Sequence, residues 1–248
     1  MTSDEKLYLP EKPPFGLTVL FGVKGSGKSL GAINSPWEPV HVIDVEGSTV
    51  DYHNEMGKLV EMGILSHGFT RADCPTYPEF YAELDRIKKD KLHFGTLVID
   101  TGGQYAEWLR DDIFSKNAKA AEKQSQMVWG MVRNQIRDII LKLESRSKLV
   151  IVTAHERDYR GVISPRLNPA VIELASLSIR LVRLPNSKLP DGHVYGARLP
   201  YFPPRIQGFT VMGLMKYFDA PADWNNLSES EKRPPEPIVK DTDYIMEE

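Results

Sequence analysis

Apolar residues fall along this chain in two rhythms. Short continuous runs occupy 16–22 (GLTVLFG), 39–44 (PVHVID), 95–100 (GTLVID) and 148–155 (KLVIVTAH). Runs of this length, rich in branched residues, predict strands buried on both faces. Between them the spacing changes to the helical period. Phe80, Leu84 and Ile87 mark a helix over 76–91, and Val128, Met131, Val132, Ile136, Ile139, Ile140 and Leu143 mark a longer one over 124–146. In the longer helix Arg133, Arg137 and Lys142 lie mainly off the apolar stripe. Further strands are expected at 178–184 (SIRLVRL) and 196–202 (GARLPYF), around a turn at Pro190-Asp191-Gly192. Alternating strands and helices imply right-handed crossovers. The expected fold is therefore α/β, a mainly parallel sheet with helices on both faces.

Composition narrows the class. The chain has 248 residues and is 41% hydrophobic, enough for one α/β domain with additions. Its net charge of −3 excludes a nucleic-acid binder that works by overall basicity. The charge is uneven, however. Residues 219–248 hold nine acidic and three basic side chains, a net of −6, which leaves +3 on the other 218. Residues 1–15 read as a flexible lead-in, 16–218 as the core and 219–248 as an acidic, proline-rich tail. Cys74 is the single cysteine, so no internal disulfide forms. The polar first residues lack an apolar signal segment, and no run reaches membrane-span length, so a cytoplasmic protein is expected.

The candidate chemistry starts at the end of the first strand. GVKGSGKS, Gly22 to Ser29, has the form G-x-x-x-x-G-K-S and precedes a short helix expected from about Lys28. Glycines let such a loop wrap an anion with its backbone N–H groups, and the helix N-terminus adds positive potential. The expected nucleotide-binding residues are Gly22, Val23, Lys24, Gly25, Ser26, Gly27, Lys28, Ser29 and Leu30. Lys28 reaches the β- and γ-phosphates, and the Ser29 hydroxyl ligates Mg²⁺. Lys24 and Ser26 take no fixed part.

Three strand ends complete the expected site. Asp100 closes TLVID and suits a second Mg²⁺ ligand. Asp44 and Glu46 follow the strand after the phosphate-loop helix. Glu46, further past the strand end, is preferred as the general base, with Asp44 the alternative. His155 ends the strand after the long helix and is placed to sense the γ-phosphate. The other histidines show no metal-ligand spacing with Cys74, so no zinc site is expected.

In that order, GVKGSGKS, VIDVEG, LVIDT and LVIVTAHER resemble the RecA-like P-loop ATPase core over about residues 16 to 205. VIDVEGST, MVWGMVRNQ and VTAHER give a narrower likeness, to phage-encoded AAA-type nucleotide-binding proteins that include single-strand-annealing recombinases. The sensor position holds His155 where recombinases of the RecA type carry glutamine. The resemblance implies ATP and Mg²⁺ as cofactors, ATP hydrolysis that is slow or stimulated by DNA, and a homo-oligomeric ring or filament in the host cytoplasm. It also implies single-stranded DNA as a partner, met by the loops after the third and fourth strands, with a single-strand-binding protein as a further partner. The first of those loops would run over 101–123, with Gln104, Arg110, Lys116, Lys119 and Lys123. The second is ERDYRGVISPRLNP, whose Arg157, Tyr159, Arg160 and Arg166 are the candidate DNA contacts. Arg180 or Arg183 would supply a cation to the neighbouring subunit's site. The rival reading is a nucleotide-gated assembly or regulatory protein with little turnover and no DNA site. A small-molecule phosphotransferase is a third.

Overall fold

The computed structural model describes residues 16–183, 189–197 and 205–211, with Pro185, Ser187 and Leu214; for 119–124 and 196–197 it describes the backbone alone. The expected lead-in and acidic tail lie outside these residues. A single sheet runs in the order β3-β2-β4-β5-β1-β7-β8-β9, with β6 paired to β5 alone. Its strands are β1 (Leu17–Gly22), β2 (Val40–Asp44), β3 (Phe69–Asp73), β4 (Phe94–Asp100), β5 (Ser147–Tyr159), β6 (Val162–Pro165), β7 (Leu177–Val182), β8 (Asp191–Ala197) and β9 (Arg205–Ile206). The first five of that order and β7 run parallel; β6, β8 and β9 are antiparallel additions.

Strand alternation explains the two cores. Leu17, Val19 and Phe21 of β1, Leu97 and Ile99 of β4, and Val150, Val152 and Ala154 of β5 face one side. Leu20, Val98, Leu149 and Ile151 face the other. The first side is covered by α4 (Tyr77–Lys89), α5 (Gly102–Lys116), α6 (Ala118–Glu144) and α7 (Pro169–Leu174), whose Phe80, Tyr105, Leu109, Val128, Val132, Ile136 and Val171 join the same core. The second is covered by α1 (Lys28–Ile33), through Ala32 and Ile33, and by α2 (Val50–Asn54) and α3 (Met56–Glu61), through Tyr52, Met56 and Leu59. The α/β class with helices on both faces is thus the observed one.

Several elements depart from the pattern reading. The region 101–123, expected as a loop, is α5 and the start of α6, because Tyr105, Ala106, Leu109 and Ile113 bury one helical face. The segment after His155 is not a free loop either. β5 continues to Tyr159 and folds back as β6. The turn between them holds Arg160 at φ 55° and Gly161 at φ 81°, two left-handed positions that suit a tight hairpin. The expected turn at Pro190-Asp191-Gly192 is instead the entry to β8. Buried Asp191 accepts from Arg205 Nη2 and from Gly208 N, which ties this corner down. Residues 198–202 of the expected 196–202 strand lie outside the described residues. Met131 is 42% exposed, off the buried stripe of α6.

Candidate active site

The carboxyl ends of the parallel strands meet at one edge, where open α/β sheets bind their ligands. Register sets the neighbours there: Gly22 pairs with His155, and Asp44 pairs with Asp100. The loop from β1 to α1 opens on this edge. A side chain at Gly22 would sit 2.5 Å from the Leu181 carbonyl and 2.8 Å from Ser26 Oγ, so the tight departure from β1 requires glycine. Lys28, at the start of α1, folds its ammonium back onto the loop, 3.1 Å from the Gly22 carbonyl and 2.8 Å from that of Val23. Burial lowers the Lys28 pKa, and the carboxylates of Asp100, Glu46 and Glu156 act against that shift. Ser29 is partly exposed beside it. Leu30 turns into the core of the α1 side, while Val23, Lys24 and Gly25 are exposed.

The two acidic candidates after β2 have different surroundings. Asp44 is fully buried and accepts from Ser48 N (3.1 Å), Thr49 N (3.0 Å), Thr49 Oγ1 (2.6 Å) and Arg71 Nε (2.8 Å). Glu46 stands at the open edge. Thr101 Oγ1 donates to its Oε1 at 2.7 Å, and His155 Nε2 lies 3.1 Å from its Oε2. Asp100 is buried, with Ser48 Oγ donating to Oδ2 at 2.6 Å and Thr153 Oγ1 donating to Oδ1. Lys28, Glu46, Asp100 and His155 therefore share one edge of the sheet, with Asp44 beside Asp100 and its carboxylate taken up by its own loop and Arg71.

The residues fit a nucleoside triphosphate and a divalent ion. Ser26 Oγ is buried among the loop glycines without a partner, and the Lys28 ammonium lies over the loop carbonyls of Gly22 and Val23. The Ser29 hydroxyl and the Asp100 carboxylate are hard oxygen donors, the set Mg²⁺ takes beside substrate phosphates. No cluster of three His, Cys, Asp or Glu side chains among the described residues would hold a metal without such a substrate.

An AAA-domain family model matches residues 17–162, a span that runs from β1 through the phosphate loop, Glu46 and Asp100 to the β5–β6 hairpin. The chain belongs to the AAA-domain family. It therefore has a P-loop ATPase core. No curated protein matches the sequence significantly. Among solved structures, a KaiC-like protein from the hyperthermophilic archaeon Pyrococcus horikoshii OT3 is similar, at 17% identity and a TM-score of 0.43, over 74% of this chain and 79% of that one. No helix among the described residues of this AAA-domain protein is long and apolar enough to cross a membrane.

The remaining candidates are spread over the site's surroundings. Arg157, Tyr159 and Arg160 lie on the β5–β6 hairpin, which projects from the same edge. Tyr159 is 59% exposed, the Arg160 guanidinium sits 5.1 Å from its ring centroid, and Arg157 Nε donates to Ser164 Oγ at 3.3 Å. Arg166 donates to Glu107 at 3.1 Å. On the other side of the phosphate loop, Arg180 is held within its own chain by both oxygens of Glu156, at 2.8 and 3.2 Å. Arg183 is exposed. Both arginines line a cleft of about 560 Å³ with Val23, Lys24, Gly25 and Ser26. Of the polar residues noted in 101–123, Arg110 pairs with Asp111 and Lys116 with Asp112; the side chains of Lys119 and Lys123 lie outside the described residues.

Sequence reading missed Ser48, Thr49, Arg71, Thr101, Thr153 and Glu156. Thr101, next to Asp100, was the one a motif could have flagged. The others reach the site through strand pairing and loop closure.

Proposed function

We propose that this protein binds Mg²⁺-ATP at the phosphate loop and hydrolyses it to ADP and phosphate, with Glu46 as the general base. The observation that carries the reading is the placement of Glu46. Its carboxylate is held by Thr101 and His155 at the strand edge that also presents Lys28 and Asp100. Lys28 would leave the loop carbonyls for the β- and γ-phosphates, and the loop N–H groups would cradle the chain. Ser29 and Asp100 would hold Mg²⁺, which would supply positive charge against the phosphate oxygens. Glu46 accepts a proton from water as the water oxygen bonds to the γ-phosphorus. The bond from that phosphorus to the leaving oxygen breaks, and that oxygen stays with ADP. His155 touches the base itself, so a γ-phosphate that moves Glu46 also moves the start of the hairpin.

The finer reading is a homo-oligomer acting on single-stranded DNA in recombination or replication. What supports it is the hairpin: two arginines and an exposed tyrosine directly beyond the residue that would sense the γ-phosphate. Guanidinium groups suit phosphates, and an exposed ring suits a base. Because Arg180 is occupied by Glu156, Arg183 is the better candidate for a cation offered to a neighbouring subunit.

Phosphate release from ATP by the wild type and by Glu46→Gln tests the core of this reading. The variant keeps the shape and loses the proton acceptor. Hydrolysis should fall by roughly 10²–10⁴, the range of a general base, with ATP affinity retained. Wild-type turnover in Glu46→Gln would rule Glu46 out as the base.

A further inference from the structure

Asp44 takes no part in the chemistry assigned to Glu46, yet it is the more heavily bonded of the two. It ends β2, and its carboxylate closes the next turn of chain. Oδ1 accepts from Ser48 N, and Oδ2 accepts from the backbone and hydroxyl of Thr49. Glu46 sits between these anchor points. The loop is tied at its far end as well, where Ser48 Oγ donates to Asp100. The position of Glu46 thus follows from how Asp44 is held.

Arg71 holds it. This residue belongs to β3, the outermost strand on that side, far from the phosphate loop in the strand order. Pairing sets Arg71 opposite Val42 and Asp73 opposite Asp44. From there the Arg71 side chain, 11% exposed, runs along the strands to the edge. Nε lies 2.8 Å from Asp44 Oδ2 and 3.2 Å from Thr49 Oγ1, while Nη2 donates to Asp73 at 2.9 Å. One planar fork therefore fixes Asp44, the Thr49 hydroxyl and the end of β3 together. Burial raises the Asp44 pKa, but the bonds from Thr49 and Arg71 outweigh it, and the carboxyl lies below its ordinary value.

We propose that Arg71 is a positioning residue for hydrolysis: through Asp44 it sets the 44–49 loop and so the place of the Glu46 carboxylate. The inference rests on the reading of Glu46 as the base. An arginine that only neutralised Asp44 would affect stability and leave the rate per bound nucleotide alone. An arginine that positions the base affects the rate, because a displacement of about 1 Å at a reacting group costs on the order of 10²-fold.

The test measures single-turnover hydrolysis of γ-labelled ATP and equilibrium binding of a fluorescent ATP analogue. It uses the full chain as wild type, Arg71→Ala, Arg71→Lys, Glu46→Gln and the Arg71→Ala/Glu46→Gln double variant. Arg71→Ala should slow hydrolysis roughly 10- to 100-fold. Analogue affinity should stay within about twofold, since the interaction lost acts on the chemical step. Arg71→Lys, which keeps a charge beside Asp44, should recover part of the rate. The double variant should be no slower than Glu46→Gln alone, because both changes disable one unit. An unchanged rate in Arg71→Ala, a rate loss matched by lost affinity, or losses that multiply in the double variant would each overturn the proposal. Should Arg71→Ala fail to fold, Arg71→Lys decides: a wild-type rate there overturns it, and a slowed rate at normal affinity supports it. Full activity in Glu46→Gln alone would remove the base assignment itself, a separate failure that takes this inference with it.

Discussion

Asp44 accepts four hydrogen bonds from its own chain, while Glu46 accepts one from Thr101, meets His155 and keeps 35% of its side chain in solvent. Strand alternation alone puts both carboxylates on one side. The chain instead turns after Val45, whose N–H bonds the Asp100 carbonyl at 2.6 Å, and the two residues part. Asp44→Asn keeps the size of the buried group and weakens its bonds to Arg71 and the Thr49 hydroxyl. Stability should fall by about 1–3 kcal/mol, the cost of a buried polar group left poorly paired. The measurement is the urea midpoint, with ATP affinity expected to persist; an unchanged midpoint would contradict this role for Asp44. The phosphate loop was legible in sequence because eight consecutive residues carry its mechanism. The strand-end position of Asp100 was legible because it closes an apolar run. Arg71, Ser48 and Thr153 were not, since each meets its partner only after distant strands pair.

At the level of elements, the buried central strands were readable and the edges were not. β3 fully buries only Phe69, with Ala72 partly buried against the opposite core, so FTRAD carries no clear alternating signal. α5 begins with two glycines, which read as loop until Tyr105 and Leu109 are seen to pack. α4 was read within two residues of its ends, and it carries a buried ionic group that sequence did not suggest. Glu83 of α4 lies 2.8 Å from His41 Nε2 of β2, and accepts from Arg86. His41 Nδ1 meets Thr70 Oγ1 of β3 at 2.7 Å. Burial pushes the Glu83 carboxyl up, but His41 and Arg86 more than offset it and bring its pKa to about 2. A folded pKa below the unfolded one stabilises above the unfolded value, near 4.5, and the benefit is lost as pH falls toward 2. The shift is worth on the order of 3 kcal/mol. Unfolding free energy of the wild type should therefore drop between about pH 5 and pH 2, and Glu83→Gln should flatten that part of the curve. Parallel curves for the two proteins would show that Glu83 is not the group titrating.

Across the whole molecule, neighbouring residues at the sheet edge join the candidate ATP site to the β5–β6 hairpin. His155 touches the candidate base, and Glu156 beside it holds Arg180 next to the phosphate loop. The hairpin starts from this pair. Its arginines give the single-strand reading a quantitative form. Replacing Arg157 and Arg160 together with alanine should weaken oligonucleotide binding. The slope of log affinity against log salt should become shallower by roughly 1.4, or about 0.7 per phosphate contact. Absence of single-strand binding by the wild type at low salt, in every nucleotide state, would replace this reading with a nucleotide-gated interaction protein. Both readings rest on the proposal that this edge binds ATP and cleaves it with water. Its most direct test is single-turnover release of labelled phosphate from Mg²⁺-ATP by the wild type and by Lys28→Ala, a variant that removes the ammonium now held on the loop carbonyls of Gly22 and Val23. The wild type should release inorganic phosphate to water, and Lys28→Ala should neither bind ATP tightly nor release phosphate. No release by the wild type, or equal release by the variant, would contradict it.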